Sequence, residues 1–195
     1  VEEAAARRQA VCRRARWCGV VHAGGVLFDA STVRQSVDRA RRVLAPKVAG
    51  LCCGGWESGG AAVDTQLLFS SVAALLGSPG QANYAAANAS LDAGAAALRS
   101  HGLGHTSLQW GAWAGSGMAV ANSATLGRSE STGLGALRME QGLSALLGVL
   151  QQHARGPGAQ GAGANVFAVV PFVWKRVLAQ LGGSAPSMFR EFASH

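Results

Sequence analysis

The residues best equipped for chemistry in this sequence are few, and their spacing is distinctive. Tyr84 is the sole tyrosine. It lies in QANYAAANASLDA, where small side chains would let another body approach a helix closely. Asn88 follows four residues later and shares its helix face. Ser71 precedes Tyr84 by thirteen residues, in FSSVAA at the carboxyl end of a strand-like run. Lys47, in LAPKVAG, is one of two lysines set against fifteen arginines. A phenol titrates near about 10, so it is a slow proton partner at neutral pH unless a nearby cation favours its ionised form. Each residue also has a plainer reading: a half-buried packing tyrosine, a turn or cap serine, a solvated helix lysine. All the plain readings must hold at once in a chain poor in both Tyr and Lys.

Short apolar runs alternate with helix-length segments, the pattern of β and α units feeding a parallel sheet. Strands are predicted at Cys18–Ala23, Gln66–Ser70, Thr106–Trp110 and Val166–Val170. Helices are predicted at about Glu2–Arg16, Ser31–Val48 (with Ser31 or Thr32 as cap), Gln81–Ser100 and Gly135–His153. Between them lie a Gly/Ser-rich loop at Ala114–Gly133 and the low-complexity stretch ARGPGAQGAGA, and GGSAPSMFREFASH reads as a domain edge running into a linker. Such a sheet is covered by helices on both faces and binds ligands beyond the carboxyl ends of its strands. That rule selects His22–Gly25, Ser70–Ser71, Gly111–Met118 and the loop after Val170.

Composition narrows the class. A chain of 195 residues suffices for one sizeable domain, and an apolar fraction of 49% with only 14% charged residues fits a core-forming chain rather than a disordered one. No apolar run reaches the roughly 20 residues of a membrane span, and VEEAAARRQA is no signal core, so a soluble, cytoplasmic protein is expected. Cys12, Cys18, Cys52 and Cys53 show no C-x-x-C spacing, which leaves reduced, packed thiols and neither a metal site nor a disulfide framework. The net charge of +7 admits nucleic acid, a phosphorylated cofactor or an acidic carrier protein as partner. Much of it lies in Arg7–Arg16 and in Arg34, Arg39, Arg41 and Arg42, which read as solvated helix faces. They lack the interleaved aromatics of a nucleic-acid surface.

The run FSSVAALLGSPGQANYAAANASLDAGAAALRSHGL, followed by SLQWGAWAGSGMA and preceded by VVHAGGVLFD and VLAPKVAG, resembles the ketoreductase domains of type I polyketide synthases and animal-type fatty-acid synthases. These belong to the short-chain dehydrogenase/reductase superfamily. The resemblance is good from about Gly19 to Met118 and weaker through VFAVVPFVWKRVLAQL. Most of the superfamily places a lysine four residues after the tyrosine, where this chain has Asn88. In synthase ketoreductases the two are exchanged, and Lys47 in its P-K-V setting occupies the lysine's place. The implied fold is α/β, a Rossmann-like parallel sheet flanked by helices, forming the C-terminal part of that superfamily's fold over residues 1–182, with 183–195 as edge or linker.

The resemblance implies NADPH-dependent reduction of a β-ketoacyl thioester, carried on an acyl carrier protein, with other domains of the same synthase as partners and no nucleic acid or membrane involved. Tyr84 would protonate the alkoxide and Ser71 would hydrogen-bond the same oxygen, both acting where charge develops in the transition state. Lys47 would favour the ionised phenol and bond the nicotinamide ribose, and Asn88 would hold the proton relay. His22, Ala23, Gly24 and Gly25 would pass the adenosine side, Gly111, Ala112 and Trp113 would border the nicotinamide, and the loop to Met118 would be a lid. Asp29 ends Leu27-Phe28-Asp29, where members giving D-configured alcohols carry L-D-D. Leu76 stands where the other stereochemical class has Trp, which favours the D type. Gln81 and Met118 complete the substrate-side set.

No G-x-G-x-x-G or T-G-G-x-G-x-L-G segment precedes His22, so the chain is expected to begin inside the domain and to bind NADPH weakly by itself. Two other classes remain: a ketoreductase-like structural piece without catalysis, and a basic module docking an acidic carrier protein or nucleic acid in a salt-sensitive way.

Overall fold

A computed structural model describes residues 19–52, 65–115, 127, 131–154, 164–180 and 186–192. The helix expected at Glu2–Arg16, together with Cys12, Cys18, Cys53 and Met118, lies outside the described residues.

Four strands, β1 (Gly19–His22), β2 (Thr65–Ser71), β3 (His105–Trp110) and β4 (Val166–Val169), form one parallel sheet in chain order, each close to its expected span. The β1–β2 register pairs Gly19 with Thr65 and His22 with Leu68. Every residue of β3 is buried, as an inner strand requires. Its polar Ser107 and Gln109 tolerate this because both donate to the Asp92 carboxylate, over 2.6 and 2.8 Å.

The helix expected over Ser31–Val48 is instead broken twice. Thr32–Arg34 form a separate 3₁₀ turn, and Ser31 makes no side-chain cap. Helix α1 (Val37–Leu44) starts at Ser36, whose side chain accepts the Arg39 N–H, with Asp38 in the first turn, where a carboxylate suits the helix dipole. Pro46 has no N–H to continue the α ladder, and the chain passes through a π turn, Ala45–Ala49, into the short α2 (Gly50–Cys52). A short α3 (Ala73–Leu76) follows β2, and α4 (Ala82–Ser100) is the long helix of this region. Helix α5 (Met139–Ala154) begins four residues later than expected. Helix α6 (Trp174–Gln180) was not foreseen.

By compactness the chain divides into Val1–Gln109 with Leu150–Phe167, and Trp110–Val149 with Ala168–His195. In the first unit the core has two centres. Val43, Ala73, Tyr84 and Ala87 cluster with Leu27 and Leu44, and Leu68, Leu91 and Ala95 cluster with Leu51. The alanines of α4 let β2 and the α1 region close against it.

In the second unit, Trp113 bridges to Leu137, and Gly142 leaves room for the Trp113 ring, which a Cβ there would overlap. Phe172 stacks on Trp174 at 4.5 Å. Ser187–Phe192, expected within a linker, form a 3₁₀ turn whose Phe189 is buried beside both rings. Among the described residues no helix is long and apolar enough to cross a membrane.

Leu91 is fully buried between α4 and β2. Leu91→Ala is expected to cost about 2–5 kcal/mol, whereas Ala96→Ser on the exposed side of the same helix should change stability by less than about 0.5 kcal/mol. Paired thermal or denaturant unfolding curves measure both.

Candidate active site

The sequence-selected residues of the first unit converge where β1 and β2 end against α4. Tyr84 sits in the first turns of α4, buried among Val43, Ala73 and Ala87. Burial pushes its phenol above the ordinary 10.0; the neighbouring Ser71 and Asn88 side chains act against that rise as hydrogen-bonding groups, and the charge of Asp29 adds to it. Ser71 closes β2, and its Oγ accepts the Ala73 N–H at 3.2 Å, which fixes the hydroxyl at the strand end. Asn88, one turn beyond Tyr84, donates through Nδ2 to the Tyr84 carbonyl at 2.8 Å. Its own carbonyl accepts from Ser70 Oγ. Its Oδ1 is buried with no hydrogen-bond partner among the described residues.

Lys47 is 2% exposed, so it is no solvated helix lysine. It lies in the π turn that follows buried Val43, and both side chains are turned inward. Its Nζ donates to the Phe69 carbonyl at 2.8 Å and stands 5.8 Å from the centroid of the Tyr84 ring. Burial lowers its pKa to about 8, opposed by the negative charge of Asp92. His22 Nε2 lies 3.2 Å from the Lys47 carbonyl, so the Nε2–H tautomer donates to it. Burial lowers the His22 pKa; that hydrogen bond opposes the shift and the Lys47 charge adds to it. Gly50 makes this contact possible, since a Cβ there would overlap the imidazole.

A second set of bonds ties the Phe28–Ala30 segment to the start of α4. Gln81 Nε2 donates to Asp29 Oδ2 at 3.0 Å, Asn83 Nδ2 to the Phe28 carbonyl at 2.9 Å, and the Ala30 N–H to the Gly80 carbonyl. Asn83 Oδ1 also accepts the Tyr84 N–H, so one side chain anchors both the loop and the helix that bears the phenol. Arg39 and Arg42, expected as freely solvated, lie over the Phe28 ring at 4.5 and 5.5 Å.

Ser71, Tyr84, Lys47 and Asn88 are thus brought together, with Asp29 and Gln81 paired beside them and Leu76 half-buried at the end of α3. His22 enters through the Lys47 backbone, and Ala23, Gly24 and Gly25 follow it out of β1. In the second unit, Gly111 continues from β3, its N–H bonded to the Val169 carbonyl, and Ala112 and Trp113 are pinned to Leu137. Met118 lies outside the described residues. Three contributors escaped the sequence reading: the Phe69 carbonyl, Asn83 and Asp92. Asp92 carried a signal, since it continues the Tyr84, Asn88 spacing by another four residues.

The family model described as "KR domain" matches residues 2–115. The 6-methylsalicylic acid synthase of Aspergillus terreus is 39% identical over 127 residues, covering 65% of this chain and 7% of the synthase. A phenolphthiocerol/phthiocerol polyketide synthase polypeptide of Mycobacterium tuberculosis is 42% identical over 135 residues, covering 69% of this chain and 6% of that polypeptide. Among solved structures, the first ketoreductase of the tylosin PKS aligns at a TM-score of 0.77 with 31% identity, over 91% of this chain and 37% of that one. The chain therefore spans under a tenth of the length of these two synthases.

The buried ammonium makes stability depend on pH. Lys47 releases its proton near about 8 in the fold, against 10.5 ordinarily, so the unfolded chain binds more protons between those values and stability rises with pH across that window. Below about 8 both states hold the proton and the cost of burial is constant. Tyr84 works in the opposite direction only above 10.0. Lys47→Met should be at least as stable as the parent at pH 7 and should lose the rise between pH 8 and 10. Denaturant unfolding at these pH values checks this; lower stability of the variant at pH 7 would contradict the account.

Proposed function

Because this chain belongs to the KR domain family, the ketoreductases of polyketide synthases, we propose that it carries the proton-transfer centre for NADPH-dependent reduction of a β-ketoacyl thioester on an acyl carrier protein. The observation that carries this reading is the assembly of Ser71 and Asn88 around the Tyr84 phenol, with a lysine withdrawn from water beside the ring.

When bound, NADPH supplies a hydride to the β-carbonyl carbon. The chain's task is to manage the negative charge that then grows on the carbonyl oxygen. Ser71 Oγ–H donates to that oxygen from the end of β2, and the Tyr84 phenol gives it a proton, both interactions being stronger in the transition state than in the bound ketone. A buried phenol holds its proton tightly, and in this reading the positive charge of Lys47, 5.8 Å from the ring centroid, favours its release.

The residues present fit the ribose end of the cofactor. An ammonium has three donors, of which Lys47 commits one to Phe69, and the others suit ribose hydroxyls. Asn88 Oδ1, without a hydrogen-bond partner among the described residues, supplies a buried acceptor that can hold a proton donor from which the phenol is reprotonated. Gly111, Ala112 and Trp113 border the nicotinamide in this reading, and His22–Gly25 the adenosine side. The Asp29–Gln81 pair, fixed at the start of the helix that bears Tyr84, orients the substrate toward a D-configured alcohol.

Tyr84→Phe keeps the buried ring and removes the proton. In the full-length protein that carries this chain, the variant should oxidise NADPH with a β-ketoacyl thioester surrogate about 100- to 10,000-fold more slowly, with an unchanged unfolding midpoint. Near-normal turnover overturns the assignment.

A further inference from the structure

The sequence places His22 along the adenosine side of a cofactor, yet its imidazole is bonded to the chain itself. Nε2 lies 3.2 Å from the Lys47 carbonyl, across 25 residues of backbone. A carbonyl only accepts, so Nε2 carries the proton, and a protonated ring would donate in the same way. The ring fits there because two glycines stand beside it. A Cβ on Gly24 would meet it at 3.3 Å, and one on Gly50 would overlap it. The same Lys47 carbonyl also accepts the Gly50 N–H. One of its donors thus comes from the helical segment and the other from the sheet.

We propose that His22 is a positioning residue, whose imidazole holds the Lys47 backbone at the phase from which the ammonium reaches the Phe69 carbonyl beside Tyr84. Lys47 is then held at both ends by neighbouring strands. Its main chain is tied to His22 at the end of β1, and its Nζ donates to Phe69 of β2 at 2.8 Å. The two anchor points adjoin, because His22 pairs with Leu68 in the parallel register and Phe69 is the next residue. The buried lysine spans the gap between them. The backbone tie is needed because the π turn Ala45–Ala49 contains Pro46, which has no N–H to brace it. A regular α phase would turn the Lys47 side chain by about 100° for the one residue the wider turn takes up. Nζ would then leave the Phe69 carbonyl and the Tyr84 ring, whose centroid is now 5.8 Å away.

This role rests on the ketoreductase reading for its purpose, but its test does not require turnover. In the full-length protein that carries this chain, trace acetylation followed against pH by peptide mass spectrometry gives the titration midpoint of Lys47, with exposed Lys175 as internal reference. Burial sets the Lys47 value at about 8, against an ordinary 10.5. His22 is neutral at that pH, since burial lowers it from 6.5, so replacing it removes no charge and a shift reports where the ammonium sits. His22→Phe fills the same space and donates nothing. Its Lys47 midpoint should rise by about one unit or more as the ammonium returns to water, with Lys175 unmoved. His22→Gln, whose amide nitrogen reaches as far as the imidazole Nε2, should keep the parent midpoint. Gly50→Ala retains His22 but drives the ring off the carbonyl, and should raise the midpoint as His22→Phe does; it replaces His22→Phe if that variant unfolds. An unchanged midpoint in folded His22→Phe or Gly50→Ala overturns the proposal. A rise in His22→Gln equal to that in His22→Phe does so too, since it would mark a packing role alone. Failure of the ketoreductase reading is seen separately, as absent thioester reduction by the parent protein.

Discussion

One ammonium group kept out of water constrains much of the first unit. Taking a lysine charge into a protein interior is costly unless the group is bonded and its field is balanced, and several otherwise odd local features contribute to meeting that condition. Val43 packs inward, Pro46 and the π turn set the phase at which Lys47 leaves the helix, and the Phe69 carbonyl accepts a hydrogen bond from its ammonium. His22 then fixes the Lys47 carbonyl from β1, over a glycine that makes way for its ring. A π turn is often found at functional positions because it turns side chains out of the regular α sequence, and here the side chain is the scarce lysine.

Helix α4 is the counterpart of that constraint. Its apolar stripe is weak, because alanine and small polar residues surround it, but its chemistry is ordered by the four-residue repeat. Asn83 ties the helix start to the Phe28 carbonyl, Tyr84 offers the phenol, Asn88 an unpaired acceptor, and Asp92 a carboxylate gripped from β3. The small residues between them allow β2 and the α1 region to approach closely enough for Ser71 and Lys47 to reach the same place. The cluster of Ser71, Tyr84, Lys47 and Asn88 is therefore a product of close packing as much as of residue type.

Much of this was legible in the sequence. The strands were found because short apolar runs bounded by turn residues have few other readings, and the exchange of Asn88 with Lys47 carried more information than either residue alone. Elsewhere local signals misled. Ser31 and Thr32 looked like caps, yet Ser36 serves, its side chain accepting the Arg39 N–H with Asp38 in the first turn. The interruption at Pro46 had its signal in the proline itself, but a π turn rather than a stop is decided by the packing of Val43 and Lys47 against α4. Asp92 was passed over, although it continues the four-residue spacing of Tyr84 and Asn88, because its partners, Ser107 and Gln109, are fifteen and seventeen residues away. Ser187–Phe192 read as part of a linker because Gly, Ser and Pro precede them and no apolar period is visible, while their 3₁₀ turn is anchored by Phe189 meeting Phe172 and Trp174.

The π turn also decouples two surfaces that share one stretch of backbone. In an uninterrupted α-helix each residue advances by about 100°, so the arginines of α1 and the lysine that follows would be locked in a single angular relation. Widening one turn by a residue resets that relation between Leu44 and Gly50. The outward arginines of α1 and the inward Lys47 thus keep an angular relation that a regular α-helix of the same length would not give them.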